Sequence, residues 1–271
     1  MPGTEVIAPD RTRGEAGNGQ APMLVARDVH RHFEGMHAVD GVSMDVLPGR
    51  ITGLIGPNGA GKSTFMAVLA GTLPASSGTI VFDGQDITNL PAYKRARLGL
   101  VRTFQLPSEF ARLTVLENLL VAAPHHRGET LYGALLGKRY WGGDEERLVG
   151  EARGLLKRFG MTPKESDYAG DMSGGQKRLI EIMRALMLHP RLLLLDEPMS
   201  GVHPSIVGEI ALYLEALRDE GLTICMVEHE LHMVDRLCDP VVVMAQGRVI
   251  GRGSMSELRQ QRDVVDAYLV G

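Results

Sequence analysis

Ile51-Thr-Gly-Leu-Ile-Gly56-Pro-Asn-Gly-Ala-Gly-Lys62-Ser63-Thr64 is the stretch that decides the fold of this 271-residue chain. It opens with a mostly apolar run bounded by glycine, as expected of a buried strand. Gly56, Pro57, Asn58, Gly59, Ala60, Gly61, Lys62, Ser63 and Thr64 then satisfy the pattern G-x-x-x-x-G-K-[ST]. Glycines in such a loop let successive backbone N–H groups turn toward a phosphate, and the following helix adds the positive end of its dipole. Lys62 is placed to reach the β- and γ-phosphates, and Ser63 to ligate Mg²⁺.

Working outward, residues 23–29, 42–47, 50–55 and 79–83 read as strands separated by Gly or Pro, with turn signals at Pro48-Gly49 and Asp83-Gly84. A helix is predicted from Lys62 to about Ala70. Residues 106–172 change character and read as mostly helical. They hold segments at 113–123 and at 144–160, where Leu148, Leu155, Leu156 and Phe159 share a helical phase. Residues 177–188 carry Leu179, Ile182, Met183 and Leu186 at helical spacing. The four leucines at 192–195 predict a parallel strand buried on both faces. Residues 205–220 form an amphipathic helix with Ile206, Ile210, Leu214 and Leu217 on one face. Strands at 223–227 and 241–244 and short helices at 255–261 and 264–270 complete the pattern. The alternation predicts an α/β fold: a mainly parallel core sheet, an antiparallel strand group before it and a helical insertion within it. Residues 1–21, rich in Gly, Pro and charge, read as a disordered tail, and 22–271 as a single domain.

Hydrophobic residues make up 44% of the chain, enough for a substantial core, and the net charge of −4 gives no field favouring nucleic acid. Cys225 and Cys238 have no metal or redox spacing and read as buried thiols in a reducing compartment. No apolar run reaches the roughly 18 residues of a membrane span, and no apolar signal core opens the chain. The reading is therefore a cytosolic protein whose membrane role, if any, comes through a partner.

Asp196 ends the leucine strand, where ligands bind in open α/β sheets and a carboxylate can hold Mg²⁺ through water. Glu197 beside it is the natural general base for an attacking water. His229 follows the strand at 223–227 and can reach a γ-phosphate oxygen. Gln105 ends Leu100-Val-Arg-Thr-Phe-Gln105, where its amide can touch Mg²⁺ and the water. Met172-Ser173-Gly174-Gly175-Gln176 is a second Gly-rich loop feeding a second helix. Glu228-His229-Glu230-Leu231-His232 fails the zinc pattern H-E-x-x-H because Met233 stands four residues after His229. His30, His32 and His37 cluster, and strand alternation puts His30 and His32 on one face. No Cys or acid in that reading completes a metal site.

With these parts in order, the chain resembles the ATP-binding subunit of ABC transporters, a P-loop NTPase family. Residues 56–64 resemble its Walker A loop, Gln105 its Q-loop, 172–176 its signature loop, 192–197 its Walker B strand and His229 its switch histidine. The resemblance implies ATP and Mg²⁺ as ligands, with Ser63, Gln105 and Asp196 toward the metal. Two such subunits would pack head to tail. Ser173 and Gly175 would then contact the γ-phosphate on the partner's phosphate loop. Phe33 looks like the aromatic that stacks on adenine. Val101-Arg-Thr-Phe-Gln105, Leu113-Thr-Val-Leu-Glu-Asn-Leu-Leu-Val-Ala122, an insertion running through Trp141, and Val265-Asp-Ala-Tyr-Leu269 look like the branched-chain amino acid importer class. Its relatives import urea, amides or aromatic acids. That class implies a second, different ATPase subunit, two transmembrane permeases and an extracytoplasmic substrate-binding protein. It places this subunit peripherally on the cytoplasmic face of the membrane, with the helical region, including Tyr132, Tyr140 and Trp141, toward the permease. The alternatives are an exporter or lipid-extracting ABC ATPase, and a non-transport ABC ATPase. The latter fits less well, because the chain has one phosphate loop and neither coiled coils nor a basic linker. Two residues depart from the family pattern: Met172 stands for the usual Leu, and His203 stands for Asp or Asn in the loop after Asp196-Glu197.

Overall fold

The protein is described here by a computed structural model covering residues 20–103, 110–124 and 138–269. Gln105, Tyr132 and most of the N-terminal tail lie outside the described residues, as do the side chains of Tyr140 and Trp141.

The chain opens with a long hairpin, β1 (Leu24–Phe33) and β2 (Met36–Val46). Its two-residue turn, Glu34-Gly35, has φ of +34° and +94°. Turns with positive φ match the right-handed twist of the paired strands. The hairpin extends well beyond the strands predicted at 23–29 and 42–47. Its polar outer residues hid the period, which pairing across the turn supplies. Next come β3 (Ile51–Ile55), α1 (Lys62–Ala70), β4 (Ser77–Phe82), β5 (Gln85–Asp86), α2 (Ala92–Arg97) and β6 (Leu100–Arg102). The helical region holds α3 (Val115–Ala122), α4 (Lys138–Arg158) and α5 (Gly174–Leu186). The second half alternates β7 (Leu192–Asp196), α6 (Pro204–Asp219), β8 (Thr223–Val227), α7 (Leu231–Leu237) and β9 (Val241–Ala245). It closes with β10 (Arg248–Gly253), α8 (Met255–Leu258) and α9 (Arg262–Leu269).

Two sheets result. One is antiparallel, in the order β2-β1-β4-β5; the other has the order β10-β9-β3-β8-β7-β6. In the second, β9, β3, β8, β7 and β6 run parallel, and only β10 pairs antiparallel, at the edge. β10 and α2 were not foreseen. Charges and glycine break the apolar pattern of β10, which an edge strand tolerates.

The leucine strand shows why the central sheet is buried on both sides. Leu193 and Leu195 join a core with the helices α3 to α6, while Leu192 and Leu194 join a core between the two sheets. All four are fully buried, and each contributes roughly 1.5–3 kcal/mol relative to an exposed side chain. Helix α1 fills the space between the sheets, packing Phe65, Met66 and Leu69 with Leu24, Val39 and Leu54. The phosphate loop thus sits on a strand and helix clamped from both sides.

In the helical region, Thr114 and Glu117 form a reciprocal capping box at the start of α3. Buried Asn118 accepts from Phe110 N and donates to the carbonyls of Phe110 and Thr114. Leu119, Leu148, Leu156 and Leu179 share one core there.

Candidate functional site

β3, β7 and β8 are neighbours, so their carboxyl ends converge. They deliver the phosphate loop, Asp196-Glu197 and Glu228-His229 to one place. Gly56 and Gly61 of the loop are dictated by close approach. A Cβ on Gly56 would lie 2.0 Å from Met244 O, and one on Gly61 2.1 Å from Ala38 O. Lys62 is 5% exposed and donates from Nζ to Gly56 O at 2.7 Å and Pro57 O at 2.9 Å. Burial lowers its pKa, and the nearby charges of Glu197 and Asp196 oppose that shift. An ammonium has three donors, so one remains available as Lys62 rests on its own loop.

Asp196 is fully buried. Its Oδ1 accepts from Ser63 Oγ at 3.5 Å, and its Oδ2 accepts from Arg102 Nη2 at 2.7 Å. A buried carboxylate needs a counter-charge, and Arg102 provides it. Sequence reasoning missed Arg102. The signal was its place at the end of β6, in parallel register with Leu194 of β7. The Ser63 hydroxyl and Asp196 carboxylate form an oxygen donor pair that suits a hard cation such as Mg²⁺.

Glu197 has φ +50°, a left-handed conformation costing roughly 1–2 kcal/mol for a non-glycine residue. Its N–H donates to Val227 O at 3.0 Å, which pins the bend. Its Oε1 lies 2.7 Å from His229 Nε2. Glu228, 2% exposed, was also missed. Its Oε1 accepts from Met199 N at 2.9 Å, and its Oε2 from His229 N at 3.2 Å. Burial raises its pKa, and the two N–H bonds moderate the rise. One side chain therefore ties the loop after β7 to the backbone of His229.

A cleft of about 580 Å³ is lined by the loop from Asn58 to Thr64, Glu197 and His229. Its other wall is Met36, His37, Ala38, Gln246 and Gly247, none of which sequence reasoning had placed there. Gln246-Gly247 is the tight turn between β9 and β10, and both residues have positive φ. Asp40 N donates to Gly247 O, and Gly247 N to Ala60 O. Those two hydrogen bonds join both hairpins to the phosphate loop.

Phe33, Ser173 and Gly175 are not part of this lining, and neither are Gly56, Pro57 and Asp196 beneath it. Phe33, at the end of β1, carries the Arg31 guanidinium 4.4 Å over its ring. Ser173 caps α5: its Oγ accepts from Gln176 N, and its N–H donates to Gln176 Oε1. A Cβ on Gly175 would meet Ile206 Cγ2 at 2.9 Å, so glycine lets α5 seat against α6. Met172 is buried. His203 acts as a helix cap for α6, with Nδ1 accepting from Ser205 N.

A phosphate loop between strand and helix, with an acidic pair at the end of β7, two strands away in the same parallel sheet, defines a P-loop nucleoside triphosphatase. The family described as ABC transporter matches residues 39–200. The chain belongs to that family, and as its ATP-binding subunit it is an ATP hydrolase coupled to transport.

Similar proteins include "Probable branched-chain amino acid transport ATP-binding protein LivG" of Archaeoglobus fulgidus. It is 37% identical, over 91% of this chain and 95% of that one. "High-affinity branched-chain amino acid transport ATP-binding protein BraF" of Pseudomonas aeruginosa is 35% identical, over 92% and 98%. Among solved structures, a nucleotide-free ATP-binding cassette from an ABC transporter superposes with a TM-score of 0.80. Its identity is 35%, covering 92% of this chain and 99% of that one. The ADP conformation of such a cassette gives the same TM-score at 35% identity, covering 93% and 100%.

Proposed function

We propose that this subunit hydrolyses ATP to drive import of branched-chain amino acids or a related small solute such as an amide, urea or an aromatic acid. It would work as half of a head-to-tail pair with a second, homologous ATPase. The pair would dock on two permeases at the cytoplasmic face of the membrane, served by an extracytoplasmic binding protein. The solute class rests on the names of the relatives. No helix among the described residues is long and apolar enough to cross a membrane, so membrane attachment falls to the permeases.

What supports the paired arrangement is that the residues matching the family's nucleotide site fall in two places of one chain. Loop residues, Glu197 and His229 share one cleft, while Ser173 and Gly175 cap a helix outside its lining. A helix N-terminus favours an anion, so α5 is suited to a γ-phosphate bound by a partner. Phosphoryl transfer to water needs positioning and charge neutralisation more than covalent chemistry. Gly56 to Thr64 would cradle the phosphates, with Lys62 turning its ammonium from the loop carbonyls to the β,γ-oxygens. Glu197 would take the proton of the attacking water, held in line by His229. Ser63 and Asp196, with Gln105, would hold Mg²⁺, which when bound neutralises phosphate charge. The face of Phe33 not covered by Arg31 would stack on adenine. Tyr132, Tyr140 and Trp141 remain assigned to the permease side by sequence alone.

The test is reconstitution of the complete complex in proteoliposomes with radiolabelled leucine, isoleucine and valine. ATP-dependent uptake that needs the binding protein, and that disappears with Glu197→Gln, is expected. Outward movement of solute, or uptake indifferent to ATP, would refute the importer assignment.

A further inference from the structure

The histidines of β1 gain from the fold a second acid, Asp40 of β2, beside Asp28 on their own strand. The rings of His30 and His32 lie 5.7 Å apart, and those of His32 and His37 4.1 Å apart. His37 sits opposite His32 in the hairpin register, and Asp40 follows on β2. One donor atom each from His30, His32 and Asp40 lie within 4.8 Å of one another.

Two carboxylates flank His30, one at each ring nitrogen. His30 Nε2 is 3.1 Å from Asp28 Oδ1, and His30 Nδ1 is 3.2 Å from Asp40 Oδ1. A neutral imidazole donating from Nε2 to Asp28 leaves a lone pair on Nδ1. That lone pair then faces the carboxylate oxygen of Asp40, and two acceptors so close require a proton or a cation between them. The 3.2 Å between His30 Nδ1 and Asp40 Oδ1 suits two ligands of one metal ion, since tetrahedral bonds of about 2.0–2.1 Å put ligand atoms about 3.3 Å apart. Asp40 is prepared for the role. Its Oδ2 is taken by Arg248 at 2.7–2.8 Å, which leaves Oδ1 facing the histidines. Asp28 is the outer carboxylate that metal-bound histidines commonly carry, fixing ring and tautomer.

We propose that His30, His32 and Asp40 form a binding site for a borderline divalent transition-metal cation such as Zn²⁺, Co²⁺ or Ni²⁺, with His37 supplying the fourth ligand. His37 Nδ1 is 3.9 Å from Asp40 Oδ1. Both His32 and His37 are exposed, so small rotations of their rings complete the tetrahedron. A donor set dominated by imidazole nitrogen selects such ions over Mg²⁺ and Ca²⁺, which prefer all-oxygen sites. The site is separate from the Ser63–Asp196 position. It borders the nucleotide cleft and shares His37 with its wall, and Asp40 N donates to Gly247 O of the same wall.

The test uses the full chain, purified without a polyhistidine tag and stripped with chelator. It is titrated with Zn²⁺ by calorimetry and with Co²⁺ by visible absorption. One equivalent with a tetrahedral Co²⁺ spectrum is expected. Affinity should weaken tenfold or more in His30→Gln and in His32→Gln, and stay unchanged in Asp196→Asn. If His30→Gln does not fold, His32→Gln, at an exposed position, carries the comparison. Binding no tighter than millimolar, equal affinity in the histidine variants, or loss confined to Asp196→Asn would overturn the proposal. Unmoved imidazole ¹⁵N shifts of His30 and His32 on Zn²⁺ addition would overturn it as well.

Discussion

Glu197 combines a strained backbone with a short contact to His229, and both have one effect: they fix where a carboxylate points. Glu197→Gln keeps the shape and the backbone bond to Val227 but loses the base. ATP affinity should stay within about threefold, while turnover falls by about 10²–10⁴; binding of a fluorescent nucleotide and phosphate release check this. Near-normal turnover would remove Glu197 from the role of base. Glu228 acts on backbone instead, and its burial makes it a pH reporter. Its pKa is raised in the fold, so the native state keeps the proton to higher pH than the unfolded chain does. That contribution to stability is complete below the ordinary carboxylate value and is lost as pH rises through the folded pKa. Glu228→Gln loses one N–H acceptor, a cost that does not vary with pH. The stability of the wild type relative to this variant should therefore fall in urea unfolding across the window that opens as pH rises above the ordinary carboxylate value. A difference independent of pH would mean that Glu228 does not titrate in that window.

At the scale of elements, α1 is held at its far end by an arginine. Arg95, 1% exposed, donates to Val68 O, Leu69 O, Leu90 O and Thr88 O at 2.6–2.9 Å. Two of these are carbonyls of the last turn of α1. Burial brings its pKa down to about 10, so it stays charged at neutral pH. Arg95→Met strands several buried carbonyls and should cost about 3–4 kcal/mol of stability by chemical denaturation. Arg95→Lys should recover only part, because an ammonium cannot span the fork. His203 offers a smaller effect: His203→Ala removes the Nδ1 cap of α6 and should cost about 1 kcal/mol, whereas His203→Asn keeps it.

These elements also mark what the sequence made legible. Apolar runs at 192–195 and 223–227 and the glycine loop before Lys62 declared themselves, because burial on both faces and phosphate-loop geometry constrain consecutive residues. Arg95, Arg102 and Asp40 did not, because each matters through a partner on a distant element. The first half of β2 stayed hidden for a related reason: its outer side chains are polar, and its strand character comes from pairing with β1 across Glu34-Gly35.

The whole molecule bears one consequence of a site whose residues fall in two places. The loop-lined cleft and the N-terminus of α5 are the two surfaces proposed to bind the phosphates, and the residues lining the first include neither Ser173 nor Gly175. If they meet across a pair, damage to one chain should appear in the other chain's site. Ser173→Arg introduces bulk and removes the hydroxyl at the helix cap, while leaving that chain's own phosphate loop untouched. Mixed with a wild-type partner, such a subunit should disable hydrolysis at the partner's phosphate loop by about 10²-fold or more. Vanadate-trapped photoaffinity nucleotide should then label the variant chain and spare the partner. Labelling lost from the variant chain alone would place Ser173 in service of its own loop and rule out the head-to-tail geometry. Because α5 is wedged on α6 through Gly175 and Ile206, the cap cannot move without the helices behind it. In the proposed pair, closure on ATP would therefore carry the helical region as a body. That is how binding at the cleft would reach the permeases.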